Sequence, residues 1–358
     1  MTLMRTPAAL FRAALFMALC TAGIPGHGQG TNKMTAGQLR LVPLPRSVAG
    51  HEGQCVVPVT ARVAAKDPAL LALANVLQGE IGICFGHKLS IAQPAEAGAG
   101  DIGLEIDDSL GKDEYLLDVS DRVRVMGGSY EAAAMGTVTL LQALAPSNTA
   151  LILPRMSVKD SPTAGFRGLM IDLARNWHSV RNLQQCILLC REYKIGYLQL
   201  HLTDDPSFTF QSRAYPELAT PGRSYTVAQL KELDQFASER GVTLVPELEM
   251  PGHSLAAKKA MPALFGTEHG HYGTLNFAKP EAAAALDTLI GELLEVFRSS
   301  PYFHIGSDEC NLKDLEKDAE FQRAMEKAGV ETVSDLFRKF IVARNDVVKR
   351  HGKRMIVW

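Results

Sequence analysis

The 358-residue chain has no charge imbalance: 37 Lys and Arg stand against 39 Asp and Glu, for a formal net charge of −2. No block of five or six like charges occurs. A surface that neutralises phosphates needs a basic excess, so nucleic-acid binding is not expected. Cysteine is scarce, with 6 in all, and five remain if a leader carrying Cys20 is removed. An odd number does not imply a full disulfide framework. Cys186 and Cys190 lie four apart on one helix face and read as small core-facing residues. Pairing of Cys55 with Cys84 is not expected. No apolar run approaches the roughly 20 residues of a membrane span. Gly-x-Ser-x-Gly, Walker and His-Glu-x-x-His motifs are also absent, which disfavours serine-elbow esterases, phosphate-loop enzymes and metalloproteases.

The composition that remains is 46% hydrophobic, 21% charged and 7% aromatic, as in globular proteins. The length suggests two domains. Residues 1–28 read as an export leader, with Arg5 and Arg12 ahead of the apolar residues 13–23. The bulky Leu19 before Cys20 argues against lipid anchoring. A periplasmic or extracellular location is therefore expected. Residues 29–40 are polar and aperiodic, and read as a linker. Residues 41–150 read as a small α/β sandwich. It has a helix capped by Asp67 and Pro68 and stopped at Gly79, strands at 102–106, 115–119 and 122–126, and a helix at 129–144. Residues 154–162, with a proline at each end, read as a polar boundary.

From 161 to 358 the pattern alternates strictly. Strands are expected at 167–174, 197–204, 243–250, 302–309 and from 355. Helices are expected at 179–193, 226–240, 280–297 and across 315–350. Such repeated βα units imply a parallel sheet covered by helices. Acids, bases and cations gather at the strands' C-terminal ends: Asp172 and Arg175; His201, Asp204 and Asp205; Glu247, Glu249 and His253; Asp308 and Glu309. One rim carrying all of these is the active face of a (β/α)8 TIM barrel. An open doubly wound sheet would instead show a Gly-rich loop after its first strand, and none is there.

Three chemistries fit this rim: glycoside hydrolysis by carboxyls, metal-assisted hydrolysis through His201, Asp204, His253 and Asp308, and sugar binding without turnover. Asp308 and Glu309 are the informative pair. Neighbours on a strand face opposite ways, so they fit different roles at a strand's end rather than two groups flanking one bond.

Four strings, FRGLMIDLARNWHS, YLQLHLTDDPSF, VPELEMPGHS and FHIGSDEC, together resemble the family 20 glycoside hydrolases, the β-N-acetylhexosaminidases. Residues 41–146 resemble that family's N-terminal α/β domain. The resemblance implies hydrolysis of terminal N-acetyl-β-D-hexosamine with retention, by substrate-assisted catalysis and with no cofactor or metal. The glycans implied are chitin oligomers, peptidoglycan fragments or glycoconjugates. The alternative is a non-catalytic carbohydrate-binding relative or an inactive fragment.

By resemblance, Glu309 is the general acid/base and Asp308 orients the 2-acetamido group. Arg167 grips the sugar's hydroxyls, and Trp358 is the first of several pocket tryptophans. Asp204 and His253 support the acid, with His201 and Glu249 behind them. Ser307 stands where the family usually has Gly or Ala, and Glu249 where it usually has Asp. DDPSF replaces the Gln-Gly-Trp-Arg continuation of many bacterial members. Residues 161–358 also fall short of the roughly 250 of a complete barrel. The expectation is a barrel truncated after about strand five, without the pocket groups of the family's later strands.

Overall fold

The computed structural model describes residues 36–92, 96–147 and 149–358. The leader expected at 1–28 and Cys20 lie outside these residues. The chain divides into two compact units, with the change near residue 166.

In the first unit, β1 (Ser47–Pro58), β2 (Arg62–Ala65), β3 (Ser90–Ala92), β4 (Ile102–Ile106), β5 (Tyr115–Val119), β6 (Val123–Gly127), β7 (Ala145–Pro146) and β8 (Ala150–Asp160) form one sheet. Its order is β1-β8-β5-β6-β4-β2-β3, with β7 paired to β8. The β5–β6 hairpin is as expected, displaced by one residue at its second strand. Along β5, Tyr115, Leu117 and Val119 are buried while Leu116 and Asp118 are half-buried. One face of the sheet is thus covered, by α1 (Leu71–Phe85) and α2 (Tyr130–Ala143). Ser129 caps α2 by accepting the Ala132 amide. Gly136 lets α2 approach closely, since a Cβ there would sit 2.7 Å from Val125 Cγ1.

Three expectations are corrected here. Helix α1 does not stop at Gly79; it runs to Phe85 and ends at Gly86, whose φ of 73° closes the last turn. A glycine weakens a helix interior without ending it when the flanking residues, here Leu77 and Ile81, are held in the core. The supposed boundary at 154–162 lies largely within β8, whose Leu153, Met156 and Val158 are fully buried. Pro154 is tolerated there because it pairs with Gln54 where the β1 register shifts. The first unit therefore extends past residue 150, and it begins before 41, since Leu39 packs on its core. Lastly, Pro68–Phe85 is long and apolar enough to cross a membrane. Leu70, Leu73, Leu77 and Ile81 on it are completely buried, so it serves as the helix over the sheet. The cysteines at 55, 84, 186, 190 and 310 are all unbridged.

The second unit is built on β9 (Gly168–Asp172), β10 (Tyr197–His201), β11 (Thr243–Glu247), β12 (Tyr302–His304) and β13 (Arg354–Ile356). All four pairings are parallel, and the order follows the sequence, β9 to β13. Between them run α3 (Val180–Glu192), α4 (Val227–Ser238), the short α5 (Leu255–Ala260) and α6 (Pro262–Phe265), α7 (Pro280–Val296), α8 (Ala319–Ala328) and α9 (Val333–Arg350). Thr226 and Gln229 open α4 with a reciprocal capping box, at 3.1 and 2.9 Å. Every expected strand and helix of this unit is present, mostly shorter by one to a few residues. The exception in burial is β9, where Leu169 and Met170 are about half exposed.

Leu73 is wholly buried on α1. Leu73→Ala is expected to cost about 2–5 kcal/mol, read as a lower urea midpoint with an unchanged slope.

Candidate active site

The parallel register sets one row of residues side by side at the C-terminal ends of the strands. Asp172 pairs with His201, His201 with Glu247, Glu247 with His304, and His304 with Ile356. Residues in register project to the same side, so this row brings its side chains together. Glu247 has no solvent exposure. Its Oε2 accepts the Gln199 amide at 2.8 Å and lies 2.8 Å from His201 Nδ1. Its Oε1 accepts the Trp358 indole N–H at 2.9 Å and lies 3.2 Å from His304 Nδ1. Burial opposes ionisation of Glu247, but His201 and His304 outweigh it and hold the carboxyl far below the usual range. Burial also opposes charge on His201. Asp204 and Glu247 on its two nitrogens prevail and push it up to about 10, so it is an imidazolium at neutral pH.

From His201 the contacts run outward. His201 Nε2 is 2.9 Å from Asp204 Oδ2, which also meets Arg175 Nη2 at 2.6 Å. Asp204 Oδ1 accepts the Asp205 amide at 2.6 Å and lies 3.6 Å from His253 Nδ1. Burial would raise the Asp204 carboxyl, yet His201, the Asp205 amide and Arg175 lower it. His253 Nε2 then lies 3.3 Å from Glu309 Oε2. Arg175 is itself held by Asp172, at 2.8 Å through its side chain.

The segment carrying Asp308 and Glu309 is a turn, not a strand. β12 ends at His304, and Gly306, Ser307 and Glu309 have φ of 64°, 76° and 45°. The expected strand through 309 is thus corrected. The Glu309 side chain is 78% exposed, because the turn carries it clear of the sheet's end. Gly306 is obligatory on two counts. Its φ is left-handed, and a Cβ there would overlap the Glu249 carboxyl. Glu249 Oε1 in turn accepts the Ser307 amide at 2.7 Å, and Ser307 Oγ donates to the Met250 carbonyl at 2.7 Å. Burial pushes Glu249 up to about 9, against the Ser307 amide and with help from the charges of Glu247 and Asp308. It is a neutral acid at pH 7.

Several groups of acids and histidines here come within 4.8 Å of one another: His201 with Glu247 and Glu249, Asp204 with Asp205 and His253, and His253 with Asp308 and Glu309. Both nitrogens of His201 and both oxygens of Asp204 already face protein partners. His201 and Asp204 are thus committed to each other and to Glu247, Arg175 and the Asp205 amide.

Residues 165–358 match the family model for the glycosyl hydrolase family 20 catalytic domain, and residues 38–161 match that for the family's domain 2. The chain belongs to glycosyl hydrolase family 20. It is 28% identical to a beta-hexosaminidase of Porphyromonas gingivalis, over 94% of this chain and 46% of that protein. It is 26% identical to a beta-hexosaminidase of Vibrio furnissii, over 90% of this chain and 57% of that one. A family 20 exo-β-N-acetylglucosaminidase from Vibrio harveyi, solved with N-acetylglucosamine, superposes with a TM-score of 0.78 at 26% identity, covering 89% of this chain and 54% of that one. The chain spans about half the length of the curated relatives it matches. The family 20 architecture is a TIM-barrel catalytic domain preceded by a small domain, and the parallel sheet of β9–β13 conforms to it.

Of the residues expected at the site, the structure joins Asp204, His253, His201 and Glu309 in one line of contacts, with Asp308 beside them. Glu249 stands under the turn that bears the acids. Trp358 is reached through Glu247. Arg167 stands just before β9, at the opposite end of that strand from the rim. Arg175 stands at the rim, against Asp172 and Asp204. Sequence reasoning placed Glu247 and Arg175 on the rim but gave neither a role. For Glu247 the available signal was its spacing: Glu247 and Glu249 are two apart at a strand's end, so both carboxyls face one side.

A free glutamate ionises near 4.5, while Glu249 holds its proton to about 9. The folded state keeps a proton that the unfolded chain releases, so this site loses stability as pH rises between those values. Glu249→Gln removes that loss. Its melting temperature relative to the parent protein should rise from about pH 5 to about pH 8; a constant difference would mean that Glu249 is ionised.

Proposed function

We propose that this chain carries the acid–base centre of an exo-acting β-N-acetylhexosaminidase. The observation that carries this reading is the placement of Asp308 and Glu309 on one tight turn, with His253 against Glu309. Their nearest oxygens lie within 4.8 Å. The nucleophile–acid pair of an ordinary retaining glycosidase stands roughly 5–5.5 Å apart with the sugar between its two carboxyls. Asp308 and Glu309 are neighbours on one turn, and membership of family 20 supports the substrate's own acetamido group as the nucleophile.

The carbonyl oxygen of the sugar's 2-acetamido group attacks C1 as Glu309 protonates the departing glycosidic oxygen. A cyclic oxazolinium forms, and Asp308 stabilises the positive charge on its nitrogen. Glu309, now a carboxylate, takes a proton from water, which attacks C1 and reopens the ring. Two displacements leave the configuration retained. His253, backed by the Asp204 carboxylate, holds Glu309 in place through both steps.

The same reading takes β9–β13 as the first five strands of the eight-stranded barrel. It takes the substrates as N-acetylhexosamine-bearing glycans, from chitin oligomers to peptidoglycan fragments and glycoconjugates. The leader-like residues 1–28 support export to the periplasm or beyond.

Protein expressed from the complete gene should release p-nitrophenol from its N-acetyl-β-D-glucosaminide. Glu309→Gln should lower kcat by about 10²–10⁴-fold, and Asp308→Asn by about 10²–10³-fold. Equal cleavage of the plain β-glucoside, which has no acetamido group, would sink the substrate-assisted route. Calorimetric binding without turnover would identify a sugar-binding relative instead.

A further inference from the structure

Glu247 takes no part in the reaction just described, yet it is the most enclosed charge at the site. Its carboxylate has four polar neighbours, and they divide by function. Gln199 and His304 are its neighbours on β10 and β12 and fix it within the sheet. The other two lead to the sugar site from different directions. Oε1 receives the indole N–H of Trp358, whose residue remains 57% exposed. Oε2 meets His201, from which contacts continue through Asp204 and His253 to Glu309.

We propose that Glu247 is a positioning residue that couples the wall of the sugar site to the general acid, holding Trp358 with one carboxylate oxygen and His201 with the other. This rests on the hexosaminidase reading. The indole is tied by its N–H and packs on the His304 ring, centroids 4.7 Å apart, so it loses the freedom to rotate while more than half of the residue stays exposed to meet a sugar ring. The Trp358 amide adds a second tie by donating to the Gly306 carbonyl at 3.1 Å. The wall is thereby fixed to the turn that bears Asp308 and Glu309. At the other oxygen, the charge of Glu247 keeps His201 an imidazolium. That cation holds Asp204 as the anion facing His253. A neutral side chain at 247 would loosen both arms, although it touches neither sugar nor acid.

The indole can be read without any catalysis. The chain has two tryptophans, so Trp177→Phe assigns the indole N–H resonances. In the parent protein the Trp358 indole proton should lie downfield and exchange slowly with solvent. Fast exchange at a random-coil shift overturns the anchor, even if no variant folds. In Glu247→Gln the resonance should move upfield. In the complete enzyme that variant should raise KM by about tenfold, the size of one charge-assisted hydrogen bond, and lower kcat through the His201 arm. Trp358→Phe should raise KM and leave kcat near normal. The double variant should show a KM no higher than the worse single variant. Additive KM effects, or a kcat unchanged in Glu247→Gln, would reduce Glu247 to a structural buried charge. An enzyme without hexosaminidase activity would remove the proposed function, while the indole resonance would still report on the anchor.

Discussion

A carboxylate sealed from water has to be surrounded by donors and cations, because an unpaired buried charge is not tolerated. Glu247 imposes this demand at the centre of the parallel sheet, and the sheet's register meets it. His201 and His304 stand beside it on the two adjacent strands. The demand does not end there. His201, charged because of Glu247, needs its own second anion and finds Asp204. Asp204 in turn takes Arg175 and the Asp205 amide. Each satisfied charge fixes the next, so the rim is one connected electrostatic object rather than a set of independent side chains.

The turn after β12 depends on a second buried acid with the opposite protonation. Glu249 is neutral because its burial outweighs the Ser307 amide and the nearby His201, whose two nitrogens are turned to Glu247 and Asp204 instead. Glu247 and Glu249 lie two apart on one side of the chain, and their environments drive them in opposite directions. The neutral one sits where Gly306 leaves room for it and accepts the Ser307 amide. The left-handed conformations at 306 and 307 are thus stabilised from below by the Glu249 side chain.

Much of the second unit was legible because its strands are apolar runs that end in polar residues, a pattern that survives without tertiary information. The first unit was harder to read. β8 reads as a boundary because Pro154 and Pro162 flank charged residues, and only the bulge in β1 shows how a proline fits there. β1 is exposed over its first seven residues and alternates only near its end, at Cys55, Val56 and Val57. At the site, the strings around His201, His253 and Glu309 identified the chemistry. The register that makes Glu247 the hub was not visible, since it depends on which strands are neighbours. Arg167 was named by resemblance alone, and its backbone lies just before β9.

Exposure changes steadily along the line of contacts. Glu247 has none, His201 and Asp204 have almost none, the His253 side chain has 17% and the Glu309 side chain 78%. Charge alternates along the buried part, from carboxylate to imidazolium to carboxylate. Low dielectric strengthens the contacts at the inner end and water weakens those at the outer end. Rigidity therefore originates at Glu247 and is passed outward to a group that has to stay accessible. A proton donor needs this combination. In the proposed reaction Glu309 meets a glycosidic oxygen arriving from solvent and later a water molecule, which requires that it not be buried. Its orientation is supplied by His253, and the orientation of His253 by charges that solvent does not reach.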